Sequence, residues 1–370
     1  MGVRSLAYSS MALAAVVALM VPAAGASAVP PDYTIIATIP VGLSPQGVAV
    51  NPVTNRIYVT NTNGGTVSVI DGATNAVIAT IPGIVGVGIA VNSLTNTIYV
   101  SSMGTGSLYA IDGTTNAIVA NIPVGQTGHG VAVDEVTNKV FVPGATNGLL
   151  YTVDGVTHAV VIAPIGSGVD NVIADPSTGT VYTANNTDNT ITVIDGLTNT
   201  FVTTMPALNP STMAIDTLGH RLYVGSFFFS QILVYDTTTN VQLPSITTGG
   251  NPGVGFDPTR NVLHAVTNTG ADLEIYDATT QSLWQTRSPI GTNAFVLAVN
   301  PVTGAVYTAN TGDNTVTVIA PPYTPPASGP ALAASGTDVP WGGLGLAVAV
   351  LALGGVLFVR GGIRYGSHTA

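Results

Sequence analysis

Two residues in this chain pair acid–base chemistry with a spacing that could bring them together: His129 and Asp170, 41 positions apart. A histidine beside a carboxylate is an oriented general base or half of a metal site, because the carboxylate fixes the tautomer and the ring titrates near neutrality. Each lies five residues before a recurrent Asn or Asp, and the same offset elsewhere selects Gln46, Val87, Ser211, Pro252 and Phe295. Gln46 and Ser211 therefore join the pair as candidate ligand-binding groups. A divalent metal needs three or more ligands and this ring supplies no others, so neither a metal nor a cofactor is expected. The plainer reading of the pair is two polar groups capping a water-filled channel.

A second candidate is hydrophobic. Phe227, Phe228 and Phe229 stand in succession where the other copies of the pattern carry Asn, Gly and Thr. Three consecutive side chains in an extended segment cannot all point inward, so at least one ring is expected at the surface, as a contact point for a peptide or glycan. The remaining histidines, His158, His220 and His264, are dispersed, and with zero cysteines there is no thiolate ligand or nucleophile. No Gly-rich loop leads from a strand into a helix, so nucleotide binding has no support.

What must position these residues is a repeat. An apolar segment ends at Asn51, Asn92, Asp134, Asp175, Asp216, Asp257 and Asn300, at spacings of 41, 42, 41, 41, 41 and 43. A second marker, the Asp closing a segment like TVSVID, recurs at Asp71, Asp112, Asp154, Asp195, Asp236 and Asp277, with Ala320 in the last copy. Within a copy the apolar period is two, which strands require. The first copy reads as four strands, residues 47–50, 56–60, 66–70 and 76–81, separated by turns rich in Asn, Asp, Thr and Gly. Four short antiparallel strands per unit predict an all-β, seven-bladed β-propeller.

Ring closure is also legible. The last copy stops after its third strand, and its fourth is found ahead of the first copy, where TIIATIP at residues 34–40 matches AVIATIP at 76–82. Pairing first and last segments closes the ring and removes exposed sheet edges. A shared aromatic position in the second strand, Tyr58, Tyr99, Phe141, Tyr182, Tyr223 and Tyr307, with His264 in copy six, predicts packing between blades.

The strings Ile57-Tyr58-Val59-Thr60-Asn61, Val181-Tyr182-Thr183-Ala184-Asn185 and Val306-Tyr307-Thr308-Ala309-Asn310, with their Asp-Gly-x-Thr-Asn turns, resemble the YVTN family of β-propeller repeats. The resemblance covers residues 33–320 and implies a fold more than a function, since propellers host many. More distantly it resembles lactonase-like and nitrous-oxide-reductase propellers, but the multi-histidine copper constellation of the latter is absent.

The two ends concern address. Residues 1–28 read as a signal peptide, with Arg4, an apolar run and a small-residue cleavage site. Residues 321–340 form a Pro/Ala-rich linker, 341–359 an apolar run of about 28 Å as a helix, enough to span a bilayer, and 360–370 a basic tail placed in the cytoplasm. Leu332-Ala333-Ala334-Ser335-Gly336, just ahead of the run, resembles the LAxTG sorting motif of actinobacterial cell-wall proteins, with Ser335 in place of threonine. That resemblance implies a sortase as processing partner and a wall link; a plain transmembrane helix is the alternative.

With a net charge of −10 and one lysine, the chain has no basic surface for nucleic acid. The reading of the whole is a non-catalytic, extracellular binding or scaffold propeller at the cell surface, its ligand a protein, peptide or glycan. The alternatives are a lactonase- or lyase-like enzyme using His129 and Asp170, and single-stranded nucleic-acid binding.

Overall fold

The computed structural model describes residues 31–125, 129–144 and 147–322. The signal segment, linker, sorting-like motif and apolar run at 341–359 lie outside these residues. No helix among the described residues is long and apolar enough to cross a membrane.

Seven four-stranded antiparallel sheets follow one another along the chain, six of them built from consecutive strands: blade 1 within residues 45–82, blade 2 within 89–123, blade 3 within 132–164, blade 4 within 169–206, blade 5 within 210–247 and blade 6 within 252–287. Blade 1 comprises Pro45–Asn51, Arg56–Asn61, Thr66–Asp71 and Ala76–Pro82, the first strand three residues longer than the sequence pattern suggests and the others one residue longer. Blade 7 combines Ala294–Val299, Val306–Asn310 and Thr315–Ala320 with Thr34–Pro40, which pairs antiparallel with Thr315–Ala320. The displaced segment thus closes the ring.

The core lies between blades. Tyr58 packs with Val67 and Val69 of its own blade and with Ile98, Val100 and Ile111 of blade 2; Tyr99 and Tyr182 make the same bridge one blade further on. All six aromatics at this position are at most 1% exposed. His264 holds the seventh place, fully buried against the ring of Tyr33, which lies just ahead of the closing strand in the cluster of blades 6 and 7. Asp32 and Tyr33 are clasped to the outer strand of blade 6 by Gln285 and Arg287.

The turns explain why Asn and Asp recur. Asn51 accepts the amides of Val53 and Thr54 on its Oδ1, at 3.0 and 3.2 Å, while its Nδ2 donates to Asn96 Oδ1 of the next blade at 2.8 Å. Asn92 donates to Asn138 and Asn300 to Asn55 in the same way. The three acceptors sit in left-handed conformation, φ 52 to 53°, which Asn tolerates better than most residues. At the outer rim, register shifts opposite Val69/Ile70, Ala110/Ile111 and Val193/Ile194 bulge the edge strands and blunt them as templates for pairing.

Candidate functional site

The first residues of the inner strands surround the mouth of the central channel. In blades 1, 4, 5 and 7 the inner strand bulges there, with register shifts between Pro45/Gly47, Val169/Asn171, Pro210/Met213 and Ala294/Val296. The extra residue in each is unpaired, and in three of the four it is the single residue Gln46, Asp170 or Phe295; in blade 5 it is Ser211 with Thr212. A bulge re-aims a side chain that would otherwise continue the pleat, and here it supplies the ring of sites expected from the repeat.

Blade 6 corrects that ring. Pro252 pairs with Thr267 as Pro45 pairs with Asn61, and the register continues without a shift. The ring residue is missing from this blade, so Pro252 is the partner of Pro45 and not of Gln46. Gly253, next in that strand, lies against Phe295 of blade 7, whose carbonyl oxygen a Cβ there would meet at 1.7 Å.

Around the mouth lies a cavity of about 650 Å³ lined by residues of six blades, among them Gln46, Val87, His129, Asp170, Ser211, Phe227, Phe228 and Phe295. One wall is polar. His129 Nδ1 is hydrogen-bonded to Asp170 Oδ1, and Ser211 donates to the other carboxylate oxygen at 2.7 Å. Three consecutive blades thereby contribute one network. Its backbone is tied as well: the amides of His129 and Gly130 both donate to the Asp170 carbonyl at 3.1 Å. Gly88 permits this closeness on the other side, because a Cβ there would lie 2.4 Å from the His129 carbonyl oxygen.

The pair titrates as a unit. Its hydrogen bond to Asp170 holds the His129 imidazole above its ordinary 6.5, against desolvation and with the carboxylate charge helping. At Asp170 desolvation is the largest influence and pushes the carboxyl up, but the bond and charge of His129 and the bond from Ser211 together outweigh it and leave the group below 3.8. The side chains touch and have a third polar partner, so the separation that would exclude an oriented acid–base pair is not found. Ser211 bonds the carboxylate and not the imidazole, however, so no hydroxyl nucleophile rests on the base.

The facing wall is aromatic. Phe227 stands edge-on to Phe228, ring centroids 4.7 Å apart at 74°, and edge-on to Phe295 at 5.3 Å and 89°. Phe228 is 68% exposed at the cavity, whereas Phe229 is exposed but does not line it. Phe227 occupies the hairpin place of Thr62 and Thr311, whose hydroxyls donate at 2.7 Å to the Gly86 and Pro45 carbonyls at the entry to the following blade. In blade 5 that bond is replaced by packing onto Phe295 across the gap in blade 6. The repeat alignment placed Phe295 on the ring and shows copy six one residue short at the same place, but the partnership of Phe295 with Phe227 appears only in the packed structure.

The other histidines serve the fold. His158 and His220 take the left-handed turn position with φ 60 and 53°, where other copies carry Asn. His264 is buried and its pKa is pushed down to about 3 by desolvation, with Arg260 adding to the fall. Among the described residues no three His, Cys, Asp or Glu side chains are grouped so as to hold a metal ion.

No family model matches the chain. One relative, the PE-PGRS family protein PE_PGRS18 of Mycobacterium tuberculosis, is 71% identical over 34 residues, 9% of this chain and 7% of that protein. The match thus spans a small fraction of the relative's length. Among solved structures the propeller is similar to a chain of Kuenenia stuttgartiensis hydrazine synthase, with a TM-score of 0.67 over 75% of this chain and 95% of that one, at 16% identity. That likeness concerns the fold alone.

Proposed function

We propose that this chain is a non-catalytic binding propeller, displayed outside the cell, whose ligand seats in the channel mouth. The observation that carries the reading is the two-walled cavity: a hydrogen-bonded polar network from blades 3 to 5 faces a braced aromatic cluster from blades 5 and 7. A concave site of this volume, mostly apolar with a few converging polar groups, has the usual form of a ligand pocket. The leader-like and anchor-like ends of the sequence support display at the surface, through a membrane span or a sortase-made wall link.

The test is a glycan and peptide array probed with the purified protein beside the variant carrying Phe227→Ala, Phe228→Ala and Phe229→Ala together. Binding that the variant loses supports the mouth as the site. Equal binding by both proteins removes the aromatic hairpin from it.

A second reading, an acid–base enzyme of the lactonase or lyase kind, draws on the same His129 and Asp170 contact. Turnover of a lactone panel that His129→Gln abolishes would favour it over simple binding. Nucleic acid as a ligand has no such support, since no lysine or arginine lines the cavity.

A further inference from the structure

The cavity also constrains the charge of what it holds. Among the described residues that line it, the ionisable side chains are His129 and Asp170, and they are bonded to each other. With both charged the pair is internally neutral, so an anionic or cationic ligand finds no unmatched counter-charge and leaves its hydration without return. The groups beside the pair, Asn186 and Thr187 among them, are neutral and can each donate and accept.

The aromatic wall constrains shape. Phe228 is largely exposed at the cavity, and edge-on packing through Phe227 to Phe295 braces the hairpin that carries it. The negative face of an aromatic ring attracts the partly positive C–H groups of a flat aliphatic ring. Peptide recognition draws instead on a free strand edge or a closed side-chain pocket. At the polar wall the amides of His129 and Gly130 are already directed to the Asp170 carbonyl, and Phe228 is a platform rather than a pocket.

Resting on the reading that the mouth is a ligand site, we propose that it takes an uncharged pyranose sugar, stacked by its C–H face on Phe228 and hydrogen-bonded by the His129, Asp170 and Asn186 wall. Phe227 and Phe295 act as positioning residues for the platform, and Ser211 as one for Asp170.

The experiment is calorimetric titration of the purified full-length protein with maltotriose, cellotriose and chitotriose, beside trigalacturonate, glucosamine and the tripeptide Gly-Phe-Gly. At least one neutral trisaccharide should bind. Phe228→Ala should weaken it roughly tenfold, Phe229→Ala less than about twofold, and Asp170→Asn roughly tenfold. Thermal unfolding of each variant checks that it is folded. Binding of the tripeptide or a charged sugar in preference, with sensitivity to Phe228→Ala, overturns the sugar assignment and leaves the mouth as the site. Any ligand bound equally by the parent, Phe228→Ala and Asp170→Asn overturns both readings, and silence across the neutral sugars overturns the sugar assignment.

Discussion

The ring of Tyr33 stands edge-on to His264, with centroids 5.2 Å apart and planes at 73°. Tyr33 comes from the segment that closes the ring, and His264 stands where the other six blades carry a buried aromatic. Blade 6 therefore has a polar ring in an apolar slot, and Tyr33, just ahead of the closing strand, covers it. Both imidazole nitrogens and the Tyr33 hydroxyl are buried without a hydrogen-bond partner.

Replacing His264 by Phe should accordingly stabilise the propeller. It removes two unpartnered polar atoms at similar volume, for a gain of about 1 to 3 kcal/mol. A rise in the denaturant midpoint without a change in slope checks it. A midpoint at or below that of the parent would mean the imidazole has a role beyond filling space.

The same residue sets an acid limit. The charged form of imidazole is the protonated one, and His264 resists protonation down to about pH 3. Below its ordinary value of 6.5 the unfolded chain takes up a proton that the folded chain refuses, so stability falls as pH drops from 6.5 toward 3 and is indifferent above. Asp71, Asp112, Asp154, Asp195 and Asp236 add to the loss at the lower end. Turn amides hold the first four carboxyls below 3.8, the Thr238 hydroxyl and turn amides hold that of Asp236, and their contribution disappears as they protonate. Unfolding measured between pH 7 and 4 should flatten in His264→Phe.

Tyr33→Ala should be costly despite its position near the start of the domain. It empties a fully buried aromatic site at the junction of blades 6 and 7, a loss of about 3 to 5 kcal/mol. Increased proteolysis of the 31–40 segment in the variant would report the loosened closure.

At the channel mouth the predicted signature is spectroscopic. His129 should titrate above 6.5 by NMR, and Asp170→Asn should bring it down, because the hydrogen-bonded carboxylate is the main cause of the rise. The pair stabilises the fold between the two pH limits. The Asp170 part is present above about 3.8 and lost as pH falls through its lowered value; the His129 part is present below about 6.5 and lost as pH rises through its raised value. His129 is more than half exposed, so the titration curve is the sensitive readout and stability is not.

Asn92→Asp should destabilise by about 1 to 3 kcal/mol, although four other blades use Asp at the same place. Asn92 is fully buried and its Nδ2 donates to Asn138 Oδ1 at 2.7 Å, so a carboxylate would set two acceptors face to face. Asp134 avoids this by accepting from its own turn, through the Thr137 hydroxyl at 2.7 Å. Thermal melts of Asn92→Asp beside Asp134→Asn should show the larger loss in the first.

The repeat alone determined the seven blades, their four strands, the aromatic position between them and the exchange of the outermost strand. Those features follow from local periodicity and from turn residues that recur at nearly constant spacing, and both are written along the chain. The adjacency of His129 and Asp170 was legible for the same reason, since equal offsets in consecutive blades must lie side by side. Ser211 as the third member of their network, Phe295 as the brace for Phe227, and Tyr33 as the cover for His264 were decided by tertiary structure. Ser211 depends on where a bulge shared by blades 4 and 5 aims its hydroxyl, and the other two on departures from the repeat, a bulge absent from blade 6 and the closing segment packed against that blade. A one-residue change in register re-aims a side chain, and only the packed ring shows which neighbour it then meets.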